Sequence, residues 1–458
     1  MDLERHRASF RDPSGHLFWR KGVLYRQVNA VYREHYDHLM ESGLYDQLVE
    51  ADMLVPHREV EVEPICPDLA YRVLRPRQIP FISYPYEWSF GALKEAALLT
   101  LDLQERALAS DMILKDATGF NVQFSRGRPV FIDTLSFEKY AQGSPWPAYR
   151  QFCQHFLAPL ALMSRVDVRL SGLLKSHIDG IPLDLASRLS PWSSRLSLSL
   201  LTHIHLHAAS ERKLASPRGT GGRLRMTRRG LKGLIQSLKG AVGALKWEPV
   251  GEWSDYYDGD SYTDAALDRK AQLVKQYLEE SGPSEVWDLG SNVGFFSRLA
   301  AESGARVVSM DADPACTELH YREIRGSGRD VLPLTVDLTN PSPALGWEGG
   351  ERSALLSRGE PDALLALALV HHLALGNNVP LGDLAQFFAR LAPHLITEFV
   401  PKDDHQVEEM LASRSDVFRD YSQESFERDM GSFFETLDAQ TLPESGRTIY
   451  FLRRRESR

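Results

Sequence analysis

Between Glu285 and Ser297 the chain reads EVWDLGSNVGFFS. An apolar, strand-like run carries Asp288 near its end, a turn with Gly290, Asn292 and Gly294 follows, and a helical pattern begins. Glycine lets the backbone approach a ligand where a Cβ would collide. Free N–H groups at the next helix start face polar ligand atoms. About twenty residues on, a second strand-like run ends in Met310-Asp311-Ala312-Asp313-Pro314. An acid at that place accepts hydrogen bonds from both hydroxyls of a ribose. A third run, VLPLTVDL, brings Asp337 to its end, where it can accept from an exocyclic adenine amine. Acids at three successive strand ends make a nucleoside cradle.

A fourth run is followed by His371 and His372. Neutral imidazole is the side chain best suited to take a proton near pH 7, so either histidine is a candidate general base. The plainer alternative is that the pair caps a strand and packs on a helix. Glu398 ends the next strand-like run and either orients an acceptor or is a solvated loop acid. Trp253, Tyr256, Tyr257 and Tyr262 precede the first run. They either close over a bound group, with a ring near its positive charge, or serve as ordinary packing.

The elements that must position these residues alternate. Strand-like runs at Val286–Leu289, Arg306–Met310, Ala363–Val370, His394–Val400 and Thr448–Leu452 are separated by helix-period stretches at Ser297–Ser303, Ala315–Ile324, Leu381–Leu391 and Gln406–Ser413. Strand and helix in turn predict an α/β domain, a doubly wound, Rossmann-like, mostly parallel sheet. The last run, after Pro443-Glu444-Ser445-Gly446, is expected to close it as an antiparallel strand. The first half reads instead as α+β. It has a hairpin over His16–Val28 around Lys21-Gly22, a helix from Ala30 to about Glu50, strands near Val60–Val62 and Ala70–Val73, and a helix over Phe90–Ser110.

With its D-x-G-x-x-x-G turn (Asp288, Gly290, Gly294), Asp311 and Asp337, the chain from roughly Trp247 onward resembles the class I S-adenosylmethionine-dependent methyltransferases. The resemblance implies a donor turn at Asp288, Gly290, Asn292 and Gly294. It further implies a ribose contact at Asp311, a cofactor contact at Asp313, adenine at Asp337, and a methyl acceptor near His371 and His372. Asn292 stands where the family often has a third glycine. A nicotinamide dehydrogenase is the nearest rival, but its G-x-G-x-x-G spacing is absent here. The texture of the chain is also similar to nodulation-associated methyltransferase-like proteins, which implies a saccharide or small-molecule acceptor, bound as O- or N-nucleophile.

In the first half, KDATGFNVQFSRGRPVFIDT places Asp116 and Asn121 five apart and Asp133 at the end of VFID. This resembles the catalytic loop of protein-kinase-like and aminoglycoside-phosphotransferase-like folds. The resemblance implies Asp116 as base, Asn121 and Asp133 as magnesium ligands, and ATP as cofactor. Several features depart from it. No His-Arg precedes Asp116, Thr134-Leu135 follow Asp133, no glycine-rich loop opens the chain, and the nearest candidate for the strand lysine is Arg26. The competing reading of Asp116 to Asn121 is a turn with a helix cap. A bifunctional kinase–methyltransferase and a non-catalytic scaffold of two degenerate enzyme folds are therefore the alternatives to a methyltransferase whose N-terminal domain positions the substrate.

The 458 residues exceed one ordinary domain. The formal charge of −9 argues against bulk nucleic-acid binding. The charge is uneven, with ten Lys/Arg and one acid from Glu211 to Lys246. We expect three parts: an N-terminal domain over 1–210, a basic linker and amphipathic helix over 211–247, and the cofactor-binding domain over 248–458. Leu231, Leu234, Ile235, Leu238, Val242 and Leu245 recur at helical spacing. Packing of that face is favoured over contact with nucleic acid or an anionic membrane. Three scattered cysteines and no long apolar run fit a cytoplasmic chain. His203, His205 and His207 alternate without a nearby carboxylate or cysteine, so a zinc site is not expected.

Overall fold

Lys21-Gly22 makes a two-residue turn, with φ of 49° and 73°, because glycine adopts the left-handed region freely and the turn twist matches the strands. It joins β2 (Gly15–Arg20) to β3 (Val23–Asn29). With β1 (Leu3–Arg5), β4 (His57–Glu59) and β5 (Ala70–Pro76) they form an antiparallel sheet ordered β1-β2-β3-β5-β4. The computed structural model describes residues 3–209, 225–250, 262–412, 417 and 420–456. The helix expected over 30–50 is broken where Gly43 takes φ 73°, giving segments Arg33–Glu41 and Leu44–Glu50. The strand expected at Val60–Val62 lies instead at His57–Glu59, where backbone pairs with β5 are available.

Helix α1 (Phe90–Ala109) follows, N-capped by Ser89 accepting from the Ala92 amide. Two small pairs come next: β6 (Met112–Leu114) with β9 (Phe137–Lys139), and β7 (Val122–Ser125) with β8 (Arg128–Phe131). Helix α2 (Arg228–Ala244) packs on α1, burying Leu231, Ile235, Leu238 and Val242. Lys239 pairs with Asp102 and Glu105 of α1, so its apolar face is used internally. The N-terminal unit spans 1–248 and also includes 343–353. In the latter stretch Glu351 accepts both Arg11 Nε and Nη2 at 2.8 Å.

The second unit comprises 249–342 and 354–458. It opens with α3 (Asp264–Ser281) and holds β10 (Glu285–Leu289), α4 (Phe295–Glu302), β11 (Arg306–Asp311), α5 (Pro314–Ile324), β12 (Val331–Thr335), β13 (Ala363–Ala366), α6 (Leu381–Leu391), β14 (His394–Phe399), β15 (Phe434–Thr441) and β16 (Thr448–Arg454). The sheet order is β12-β11-β10-β13-β14-β16-β15. Pairs among β10 to β14 are parallel, and β16 pairs antiparallel with both β14 and β15. This is the doubly wound α/β arrangement expected, closed by the antiparallel hairpin β15–β16. The strand order reverses between β10 and β13, and the carboxyl ends flanking such a switch point are where ligands bind in open α/β sheets.

Candidate functional site

The turn after β10 is built from three consecutive left-handed positions spaced by two: Gly290 (φ 71°), Asn292 (φ 51°) and Gly294 (φ 79°). Gly294 has no room for a side chain. A Cβ there would lie 2.1 Å from the imidazole of His320 on α5. At Gly290 it would meet Leu369 at 3.0 Å. Asn292 tolerates its conformation because its own Oδ1 accepts the next amide, Val293, at 2.6 Å.

The acids stand at the strand ends, in different environments. Asp288 is buried and accepts Ser297 Oγ at 2.5 Å. Burial pushes its carboxyl up to about 7, against the pull of Ser297. Asp311 accepts the Asn292 amide at 2.7 Å and the Asp313 amide at 2.8 Å. The second strand end and the glycine turn are thus tied by one carboxylate. Burial raises Asp311 to about 6, opposed by those two hydrogen bonds. Asp313 caps α5, accepting from Ala315 at 2.8 Å. Asp337 is exposed and accepts from Thr339 N and Oγ1 at 2.8 and 2.6 Å.

The run expected as a strand to Val370 stops at Ala366, since Ala368 takes φ 49° and Val370 begins a helical turn. His371 is fully buried, and neither ring nitrogen has a hydrogen-bond partner among the described residues. Burial, with His372, Arg447 and Lys270 nearby, holds its pKa well below the ordinary imidazole range. His372 is lowered to about 4, mainly by burial and then by Arg447. Both rings are therefore neutral near pH 7.

Glu398 is fully buried rather than a solvated loop acid. Its Oε2 accepts Lys270 Nζ at 2.7 Å and the Ala368 amide at 2.9 Å, and its Oε1 accepts Tyr262 Oη at 2.9 Å. Arg447, also buried, reaches Glu398 at 4.0 Å and binds Asp404 through Nε at 2.7 Å and Nη2 at 3.0 Å. Burial lowers Lys270, with Glu398 resisting. Tyr262 lies under both cations, its ring centroid 4.5 Å from Lys270 Nζ and 4.4 Å from Arg447 Cζ. The other three aromatic candidates, Trp253, Tyr256 and Tyr257, lie outside the described residues. Sequence reading missed Lys270. The signal was there: Ala266, Lys270, Val274 and Tyr277 follow helical spacing on the buried face of α3.

In the N-terminal unit, Asp116, Asn121 and Asp133 are brought together, but already bound. Asp133 Oδ1 pairs with Arg26 Nη2 at 2.7 Å and Oδ2 accepts Ser136 Oγ at 2.5 Å. Asn121 Nδ2 donates to Ser136 Oγ at 3.2 Å. Asp116 accepts the Thr118 amide at 3.0 Å, and burial raises its pKa, with Asp133 adding to the rise. The Ser83 N–H and C=O are both taken by the Gln123 amide at 2.9 Å. These side chains are thus engaged in an ion pair and hydrogen bonds within the N-terminal unit. The three alternating histidines lie on a helical turn: His203 is hydrogen-bonded to Tyr149 and Ser237, His205 to Ser187 and Ser194, and His207 stacks on Tyr149. Among the described residues no cluster of three or more His, Cys, Asp or Glu is placed to hold a metal ion.

No family model matches the chain. It is 34% identical to the nodulation protein NoeA of Rhizobium meliloti (strain 1021) over 459 residues, covering 98% of this chain and 96% of that one. Among solved structures, magnesium protoporphyrin IX methyltransferase (ChlM) from Synechocystis PCC 6803 with bound S-adenosylmethionine is 18% identical, over 44% of this chain and 89% of that one, with a TM-score of 0.31. The N-methyltransferase NodS from Bradyrhizobium japonicum WM9 is 10% identical over 42% and 98%, TM-score 0.31. The bifunctional kinase-methyltransferase WbdD is 18% identical over 43% and 42%, TM-score 0.30.

Proposed function

The chain belongs to the family of the nodulation protein NoeA, and we propose that it is an S-adenosylmethionine-dependent methyltransferase acting on an oxygen nucleophile of a saccharide or other small molecule. The observation that carries this reading is the carboxylate of Asp311, which stands at the end of β11 and binds the glycine turn after β10 through the Asn292 amide. Its remaining lone pairs suit two ribose hydroxyls. Gly290 and Gly294 leave the backbone bare beside it, and Asp337 stands exposed after the neighbouring strand for the adenine side. These residues fit the cofactor, which when bound supplies a methyl group on a sulfonium that departs as a neutral thioether.

His371 supports the acceptor half of the reading. A buried polar group normally has a partner, and this imidazole has none among the described residues. It offers one N–H and one lone pair to an incoming hydroxyl. Lys270 and Arg447 disfavour a second positive charge there, which selects a neutral or weakly acidic oxygen acceptor over an ammonium group. Holding donor and acceptor in line is the main requirement of methyl transfer. The acceptor's proton leaves to solvent as the carbon–oxygen bond forms, with neutral His371 as a hydrogen-bond partner of the acceptor oxygen. The N-terminal domain serves substrate selection.

The test is incubation with methyl-tritiated S-adenosylmethionine and separate saccharide, small-metabolite, protein and RNA fractions. Label in a base-stable ether of a saccharide or small metabolite is the expected result. Label in protein or RNA alone contradicts the acceptor class. Cofactor binding without transfer to any fraction contradicts the enzymatic reading.

A further inference from the structure

Five of the large apolar side chains that stand open to solvent fall within one short stretch of the N-terminal domain: Leu189, Trp192, Leu196, Leu198 and Leu206, at 41, 70, 72, 78 and 55% exposure. The stretch reads LSPWSSRLSLSLLTHIHL and comprises a helical turn at Trp192–Leu196, a short helix at Leu198–Leu200 and the histidine turn at Leu201–Leu206. Its inner face is fully used: Leu200 and Ile204 are buried, and His203 and His205 are hydrogen-bonded. The outer leucines and the tryptophan are therefore not displaced core residues. A large exposed apolar patch on a folded domain marks an interaction site.

Charge identifies the partner. From Leu185 to Trp247 the sequence holds twelve Lys/Arg and a single acid, Glu211, in a chain whose net charge is −9. Among the described residues, Arg195 stands exposed within the apolar stretch, and Arg225 and Arg229 stand exposed at the start of α2; none of the three makes an ion pair. Helix α2 runs beside the stretch, joined to it by the His203–Ser237 hydrogen bond at 2.8 Å. Exposed tryptophan and leucines beside these arginines match an interfacial lipid-binding surface, and the nearby Asp184 and Asp111 are neutralised by Arg188 and Arg228. Nucleic acid would use the arginines but leave the leucines unpartnered.

We propose that this surface docks the N-terminal domain on an anionic phospholipid bilayer, the apolar side chains entering the headgroup–acyl boundary and the arginines facing lipid phosphates. The contact is peripheral, since no helix among the described residues is long and apolar enough to cross a membrane.

The test is co-sedimentation of the full chain with vesicles of equal parts phosphatidylglycerol and phosphatidylcholine, beside phosphatidylcholine alone. We expect about tenfold or more tighter binding to the anionic vesicles, weakened by high salt. Trp192→Ser with Leu196→Ser and Leu198→Ser should abolish binding, and Arg195→Glu with Arg229→Glu should abolish the anionic preference. Both sets of residues are exposed, so unchanged circular dichroism and melting temperature confirm that the variants fold. Absence of binding to either vesicle overturns the proposal. So does equal binding by wild type and the triple serine variant. A concentration-dependent dimer that only the triple variant loses overturns it in favour of a second copy, and salt-sensitive RNA binding without vesicle binding overturns it in favour of nucleic acid.

Discussion

Glu398 Oε2 accepts the backbone N–H of Ala368 at 2.9 Å, linking the end of β14 to a residue held at φ 49°. A non-glycine residue in that region costs roughly 1–2 kcal/mol, so the carboxylate holds a strained backbone from the end of the neighbouring strand. His371 follows three residues later. On the proposed reading, Glu398 is therefore a positioning residue for His371. Glu398→Gln should leave cofactor affinity within about twofold and lower kcat by about tenfold or more. Single-turnover kinetics beside cofactor titration separates the two.

Lys270 and Glu398 are both almost wholly buried. Removing one partner strands the other charge, so Lys270→Met should destabilise the fold by about 3–5 kcal/mol. Replacing both, as Lys270→Met with Glu398→Leu, should cost less than the two single changes combined. Urea melts of the four proteins give the coupling directly.

Asp288 and Asp311, raised to about 7 and about 6, set opposite pH trends for stability and binding. Their folded values lie above the unfolded value near 4. The folded chain thus keeps protons that the unfolded chain has released. The stability this gives is fully present below about pH 4 and is lost as pH rises through 6 to 7. Asp288→Asn removes the cost, so the ligand-free variant should melt a few degrees above wild type at about pH 8, with the gap closing near pH 4. Binding runs the other way, because Asp311 must be ionised to accept from both ribose hydroxyls. Affinity for the cofactor should fall as pH drops below about 6. With His371 and His372 both lowered, catalysis should show no histidine limb between about pH 6 and 8.

Gly294→Ala drives a Cβ into His320 at a positive φ. It should abolish cofactor binding and lower the melting temperature. Adding His320→Ala clears the collision but leaves the φ cost of about 1 kcal/mol, so the double variant should recover most of the melting temperature.

The parallel sheet was legible because β10, β11, β12 and β14 are apolar runs with an acid at or just past the end and β13 is an apolar run, with helix spacing between most of them. The hairpin over His16–Val28 was equally plain, since Lys21-Gly22 can only turn. Less visible was the end of β13. Ala363–Val370 is uniformly apolar, and the chain leaves the strand at Ala368 because of a carboxylate thirty residues away. Long-range pairing also hid the burial of Glu398 and the occupation of Asp133 by Arg26, since neither partner is a local neighbour. His320 gave no sign of its place beneath Gly294, because its helix shows only that it faces inward.

The central claim is that acids at neighbouring strand ends and the glycine turn hold one adenosine. Isothermal titration of the full chain with S-adenosylmethionine and with its demethylated product tests it most directly. Both should release heat with one site per chain, and Asp311→Ala should weaken both by about tenfold or more while the protein still melts cooperatively. No heat from wild type with either compound, or unchanged affinity in Asp311→Ala, contradicts it.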